Sequence, residues 1–297
     1  MLWDWSIVVF ACNEQARIAD SITAIANAVG GVRAHLTLIV NGSSDATLNT
    51  SLDTLNTLGI PKNVYTIALA CKWNAMNAFV HEIRPQARTY FFVDATAAVE
   101  PQTFALLNCA LDERREIAAV SGLPRNGRSA KHMQDKGDGL GQVFAVRHEL
   151  LSDLAKRGRR LPVGLYRGDG LLIGYINYET NGVAHRSPQQ RIATIFSARW
   201  YIRPLSPFNL HDYKRWYNRL VRQAQGRLEN QAWNTIIWTK GFDALPRFGN
   251  EMILTWLKTH RPSKEPFPNW IFVWLALRRV HRWHQPMDVD LLPIKVL

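Results

Sequence analysis

Four apolar runs in the first hundred residues each stop at small polar side chains. Ser6–Ala11 stops at Cys12-Asn13-Glu14, Leu36–Val40 at Asn41-Gly42-Ser43-Ser44-Asp45, Val64–Leu69 just ahead of Lys72-Trp73-Asn74, and Thr89–Val93 at Asp94. Between the first two runs, Ile18, Ile22, Ile25, Ala26 and Val29 recur at helical spacing and end at Gly30-Gly31. Between the second and third, Leu48, Leu52, Leu55 and Leu58 do the same and end at Gly59. Strands separated by helices cannot pair as hairpins, so this alternation predicts an α/β fold with a mostly parallel, doubly wound sheet. Such a sheet opens its ligand crevice where the strands end, and the polar residues above fall there.

The pattern continues with a helix through Phe104, Leu107 and Leu111 opened by Pro101, a strand over 117–121, a strand over 141–147 and helices over 148–157 and 170–178. The stretch from Pro124 to Asp138 holds Gly127, Gly137 and several basic residues, which reads as a loop at the ligand edge. Beyond Arg199 the spacing predicts helices at about 211–228, 230–240, 247–259 and 268–284. The expected organisation is a catalytic domain over residues 1–200 followed by a basic helical appendage over 201–297.

An apolar fraction of 47% over 297 residues supports a large core and excludes disorder. Three cysteines, Cys12, Cys71 and Cys109, make neither a disulfide framework nor a CxxC metal site, which fits a reducing cytoplasm. Val9-Phe10-Ala11-Cys12 loosely imitates a lipoprotein cleavage site, but no basic residue precedes it and Asp4 does, so it reads as a buried strand. No apolar run approaches the ~18 residues of a membrane span. The net charge of +12 calls for a partner of negative charge. From Arg199 onward there are 16 Lys and Arg against 7 Asp and Glu, interleaved with eight tryptophans, a composition that fits an anionic membrane surface.

Taken in order, Ala11-x-Asn13-Glu14, Asn41-Gly42-Ser43-Ser44-Asp45-x-Thr47, Lys72-x-x-Ala75-x-Asn77, Asp94 and Arg167-Gly168-Asp169-Gly170 resemble the motif series of family 2 glycosyltransferases of the GT-A fold. The resemblance covers about the first 200 residues. It implies a nucleotide-sugar donor bound by Ala11, Asn13, Glu14, Asn41, Ser43, Asp45, Lys72, Asn77, Asp94 and Arg199. Read physically, Asn13 and Glu14 offer acceptors to a ribose or base, or they cap the following helix. Asn41 stands where many members carry an acidic base-reading residue, and its amide has both a donor and an acceptor. Ser44 or Asp45 caps a helix as readily as it meets a ligand. Lys72 is a point charge suited to a diphosphate, or a solvated lysine at a helix start.

The resemblance also implies Mg2+ or Mn2+ held by a D-x-D motif, and here the chain departs, because Thr96 occupies the second aspartate's place. A divalent cation prefers anionic oxygens to a hydroxyl. Three readings follow: a metal on Asp94 with His185 as a further ligand, a metal-free site neutralised by basic residues of the 125–136 loop or Arg199, or lost catalysis.

By the same resemblance Asp169 is the general base of an inverting transfer and the first candidate for a catalytic residue; a helix N-cap is the alternative. Arg199-Trp200 resembles the end of the Q/R-x-x-R-W element, with Phe196 in place of its first residue. The expected function is transfer of a sugar to a lipid-linked or polysaccharide acceptor by a cytoplasmic protein peripheral to the inner face of the membrane. The apolar, basic helix near Trp270 and Trp274 serves that surface, or packs on the chain or a second copy in a homodimer. A catalytically silent nucleotide-sugar or glycan-binding scaffold is the alternative. Charge alone raises a nucleic-acid partner, which no motif supports.

Overall fold

Continuous burial, rather than alternation, marks the central strands. In β1 (Trp3–Ala11) the last seven residues are buried, and in β2 (Ala34–Asn41) all eight are. A parallel strand covered by helices on both faces has this signature. The computed structural model describes residues 2–126, 139–180, 183–184, 189–202, 210–264, 266 and 268–297, and these divide into two compact units.

The first unit holds residues 1–159, 176–204 and 288–297. Its strands continue as β3 (Lys62–Ile67), β4 (Ala87–Asp94), β5 (Ala97–Val99), β6 (Ala119–Pro124) and β7 (Val143–Arg147). A two-residue pair, β8 (Glu179–Thr180) and β9 (Val183–Ala184), stands apart, and β10 (Ile192–Ile202) and β11 (Ile294–Lys295) complete the set. Nine of them form one sheet in the order β11-β3-β2-β1-β4-β7-β6-β10-β5. β3, β2, β1 and β4 run parallel, whereas β7 is antiparallel to both β4 and β6. Helices α1 (Ile18–Val29) and α2 (Thr47–Asn56) connect β1 to β2 and β2 to β3 on one side of β1. After α3 (Lys72–Ala78), which continues as one wide turn to Ile83, the chain re-enters on the other side of β1 as β4. The order therefore reverses at β1, with Phe10 opposite Asp94 and Ala11 opposite Val40. α4 (Thr103–Glu113) and α5 (His148–Lys156) complete the helices before the division. The core beneath the crevice is aromatic: Phe92 stacks on Phe144 at 4.8 Å, and Phe91 meets Phe104 at 4.7 Å.

The second unit holds residues 160–175 and 205–287, so the division falls inside α6 (Gly168–Tyr178). It is built on α7 (Leu210–Lys240), α8 (Gly249–Leu257) and α9 (Asn269–Arg282). Val221, Ala224 and Leu228 of α7, Ile253 of α8, and Ala276 and Val280 of α9 form its core.

Three sequence expectations are revised, and one falls mostly outside the described residues. The helices expected at 211–228 and 230–240 are one helix of 31 residues, about 46 Å long at 1.5 Å per residue. The residue left between the two expected helices, Glu229, is a buried carboxylate. Gly226 is needed inside the helix because a Cβ there would lie 2.6 Å from Cγ of Arg167.

Second, a strand was not expected over 192–202. A register shift between Thr194 and Arg199 turns Phe196 outward and Trp200 inward, which breaks the period-two pattern. Third, the cut near residue 200 is not where the units part. Residues 288–297 return to the first unit, where β11 pairs with β3 and the four-residue helix α10 (Asp288–Leu291) lies just before it. Finally, the loop expected over Pro124–Asp138 lies mostly outside the described residues, as does His185.

Candidate active site

At the strand reversal of the first unit, the loops after β1 and β2 hold each other. Leaving β1, Asn13 adopts a left-handed conformation (φ 55°), which an asparagine tolerates better than most residues. Its backbone N–H donates to Ser43 Oγ at 3.0 Å, and its side-chain oxygen accepts from Ser44 N at 2.8 Å and from Ser44 Oγ at 3.3 Å. One step on, Glu14 N donates to Thr47 Oγ1 at 2.8 Å and Gln15 N to Asp45 Oδ2 at 3.2 Å, while Ala46 N donates back to the Gln15 amide oxygen at 2.9 Å. Glu14 forms an ion pair with Arg17 at 3.2 Å. Gly42, at φ 61°, has Ala70 so close that a Cβ would meet its backbone nitrogen at 2.4 Å, so only glycine fits.

Asp45 holds the first turn of α2 as well as the loop after β1. Its Oδ1 accepts from Thr47 N at 3.0 Å, in the first turn of α2, and from Thr47 Oγ1 at 2.5 Å. Burial would push its carboxyl up, but the hydrogen bonds from the Thr47 side chain and the backbone of Thr47, Gln15 and Asp45 itself outweigh that and hold it below its ordinary value.

Asn41 is buried, and its amide lies between two backbones. In the orientation that satisfies both, its nitrogen donates to Ala11 O at 3.2 Å and its oxygen accepts from Cys71 N at 3.2 Å. That use differs from base reading: Asn41 ties the ends of β1 and β2 to the start of α3. Asn74 is a second such clamp, donating to Leu291 O of the C-terminal segment at 2.9 Å. Asn77 is buried on α3.

Lys72 opens α3, and its ammonium lies 2.5 Å from Asp94 Oδ1 at the end of β4. It also lies 5.4 Å from the ring of Trp73 and 6.0 Å from that of Phe10. Asp94 and Ala11 thus flank the strand reversal, with Lys72 on the same carboxylate. Arg199 is placed elsewhere on the sheet, within the field of Glu100, whose carboxyl is drawn below its ordinary value first by the Arg125 guanidinium at 2.5 and 3.0 Å and to a lesser degree by Arg199. Trp200 is core.

A divalent cation fits poorly among the described residues. No group of three His, Cys, Asp or Glu there is arranged for one. Asp94 is already paired with Lys72, and the Thr96 hydroxyl accepts from the Gln142 amide at 2.9 Å.

Asp169 lies in the second unit, in the first turn of α6, where its Oδ1 accepts from Gly170 N at 3.0 Å. Sequence reasoning missed the residue beneath this loop. Glu229 is 1% exposed and accepts from Tyr166 N at 2.9 and 3.0 Å, from Arg167 N at 2.9 Å and from the Gln225 amide at 2.9 Å. Burial pushes its carboxyl up; the N–H groups of Arg167 and Tyr166 and the Gln225 amide offset part of this, and the charge of Asp169 adds to the rise. The available signal was a Gln and a Glu four apart on one face of a helix rich in Lys and Arg. In the same unit, Tyr213, Trp216 and Tyr217 of α7 and Trp270 and Trp274 of α9 are exposed, with the Arg278 guanidinium 4.6 Å from the Trp274 ring. Helix α9 packs one face through Ala276 and Val280 and leaves these tryptophans outside.

No protein-family model and no curated protein matches the sequence. Solved structures do. A mannosyltransferase from Pyrobaculum calidifontis in complex with GDP-Man and Mn2+ is 16% identical, spanning 96% of this chain and 77% of that one, with a TM-score of 0.59. S. aureus TarS in complex with UDP-GlcNAc is 13% identical over 93% of this chain and 80% of that one, at 0.51. Glucosyl-3-phosphoglycerate synthase from Mycobacterium tuberculosis, with Mn2+, UDP-Glc and phosphoglyceric acid, is 18% identical over 76% and 78%, at 0.50. The chain therefore has the GT-A glycosyltransferase fold.

The loop geometry predicts an acid-sensitive crevice. Because the folded value of Asp45 is lowered, its stabilising contribution is present above the ordinary value of 3.8 and is lost as pH falls through the lower folded value. Below about pH 4, the urea midpoint of the wild type should fall more steeply with pH than that of Asp45→Asn; parallel profiles would remove Asp45 as the cause.

Proposed function

We propose that this chain is a glycosyltransferase that moves a sugar from a nucleoside-diphosphate sugar to an acceptor hydroxyl, with inversion. The observation that carries the reading is the strand reversal at β1, where the Asn13 and Asp45 loops lock together and the Lys72–Asp94 pair sits at the end of β4. Open α/β sheets bind ligands at such a reversal. The likeness to sugar-transferring proteins of the same fold supports it.

In this reading the donor's nucleotide lies against the Asn13–Glu14 and Ser43–Asp45 loops and its diphosphate near Lys72. Asn41 acts through Ala11 and Cys71 and keeps no direct base contact. Asp169 takes the proton of the acceptor hydroxyl, the acceptor oxygen bonds to the anomeric carbon, and the bond from that carbon to the diphosphate oxygen breaks, its electron pair leaving with the nucleoside diphosphate. Holding both reactants in line supplies much of the rate. Glu229 fixes the backbone of Tyr166 and Arg167, from which the Asp169 turn starts.

The acceptor in this reading is lipid-linked or a polysaccharide. The exposed Tyr213, Trp216, Tyr217, Trp270 and Trp274, with Arg278, form a surface suited to an anionic headgroup layer. No helix among the described residues is long and apolar enough to cross a membrane.

Two outcomes are expected. With a panel of nucleotide-sugars and acceptors, release of nucleoside diphosphate by the wild type should fall by about 10³-fold or more in Asp169→Asn, with donor affinity unchanged; full turnover in the variant would remove Asp169 from the role. Donor bound without turnover in the wild type would favour a silent scaffold. In co-sedimentation, vesicles containing phosphatidylglycerol should carry down the wild type at low salt, and a Trp270→Ala/Trp274→Ala variant much less; equal recovery with neutral phosphatidylcholine vesicles would contradict the anionic surface.

A further inference from the structure

The diphosphate of a nucleotide-sugar needs a cation beside it, since the bond to the sugar breaks with a negative charge passing to the leaving oxygen. The compared mannosyltransferase and synthase structures contain Mn2+. Among the described residues no group of three His, Cys, Asp or Glu is arranged for that ion, and Asp94, at the place of the family's metal-holding motif, is already held by an ammonium.

We propose that Lys72 is itself the cation of the diphosphate subsite, so that nucleoside-diphosphate binding by this chain needs no divalent metal. The inference rests on the transferase reading and deepens it. Thr96 stands where the resembling family carries a second aspartate, so the two carboxylates that would neutralise a divalent cation are reduced to Asp94. One ammonium neutralises one carboxylate, and Lys72, a residue the motif series keeps, places its ammonium on Asp94.

Geometry supports the exchange. An ammonium carries three protons, so it can meet Asp94 Oδ1 and phosphate oxygens at once, as a bridging metal would. The Lys72 and Asp94 side chains are 31% and 25% exposed, which leaves the pair open to a ligand rather than sealed in the core. Placement at the first residue of α3, with the rings of Trp73 and Phe10 close to the ammonium, restricts where it can go. Thr96 meanwhile is tied to Gln142 at 2.9 Å.

The test is calorimetric titration of the full chain, stripped of metal, with UDP, GDP and CDP in EDTA and again in Mn2+. At least one nucleotide is expected to bind with affinities in the two buffers that agree within about twofold. Lys72→Met, which keeps the aliphatic stem, should weaken that binding in EDTA by about 10- to 100-fold, as expected for losing a charge-assisted hydrogen bond. Lys72→Arg should retain most of it. Wild-type binding that collapses tenfold or more in EDTA overturns the inference and leaves the transferase reading standing. Undiminished binding by Lys72→Met in EDTA overturns it equally. Absence of binding by any of the three nucleotides in either buffer overturns both. The comparison of buffers needs no variant, so a misfolded Lys72→Met would still leave the inference exposed to refutation.

Discussion

The reversal of strand order at β1 is the constraint on which the first unit depends. Because the chain builds β2 and β3 on one side of β1 and then re-enters on the other as β4, the ends of β1 and β4 lie side by side with no crossover helix between them. The loop after β1 is then free to meet the loop after β2, and the meeting is made by hydrogen bonds: Asn13 with Ser43 and Ser44, Gln15 with Asp45 and Ala46, and Glu14 with Thr47. These bonds satisfy backbone N–H groups that the strand ends leave without ladder partners. A crevice whose walls are fixed before any ligand arrives loses less conformational freedom on binding.

The central strands were legible because burial on both faces leaves only apolar residues, and their ends were legible because polar residues interrupt them abruptly. β10 was not, since its register shift exposes Phe196 and buries Trp200 against any simple alternation. β11 gives no pattern at all: two exposed residues pair at a sheet edge through backbone alone. The long helix α7 is not legible as one helix because a glutamate in its middle gives no sign of burial, and the backbone N–H groups of Tyr166 and Arg167, far away in sequence, together with the Gln225 amide, make the burial of Glu229 tolerable.

The candidate site shows the same limit more sharply. Asn13, Ser43, Asp45, Lys72 and Asp94 do gather at the strand ends, as their positions after apolar runs implied. Asn41 and Asn74 occupy motif positions too, yet their amides clamp backbone segments. An amide offers the same donor and acceptor to a base, a ribose or a peptide group, so its sequence position alone does not choose among them. The Lys72–Asp94 pairing was equally hidden, because the two residues belong to different elements, and only the return of β4 beside β1 brings them together.

The central claim is that the loops after β1 and β2, together with the end of β4, hold a nucleoside diphosphate. Hydrogen exchange of the full chain, with and without saturating UDP, GDP or CDP, tests it most directly. The account predicts that one of the three slows exchange at the amides of residues 11–15, 41–47 and 94–96. Unchanged exchange at those amides with every nucleotide, or protection confined to other parts of the chain, would contradict it.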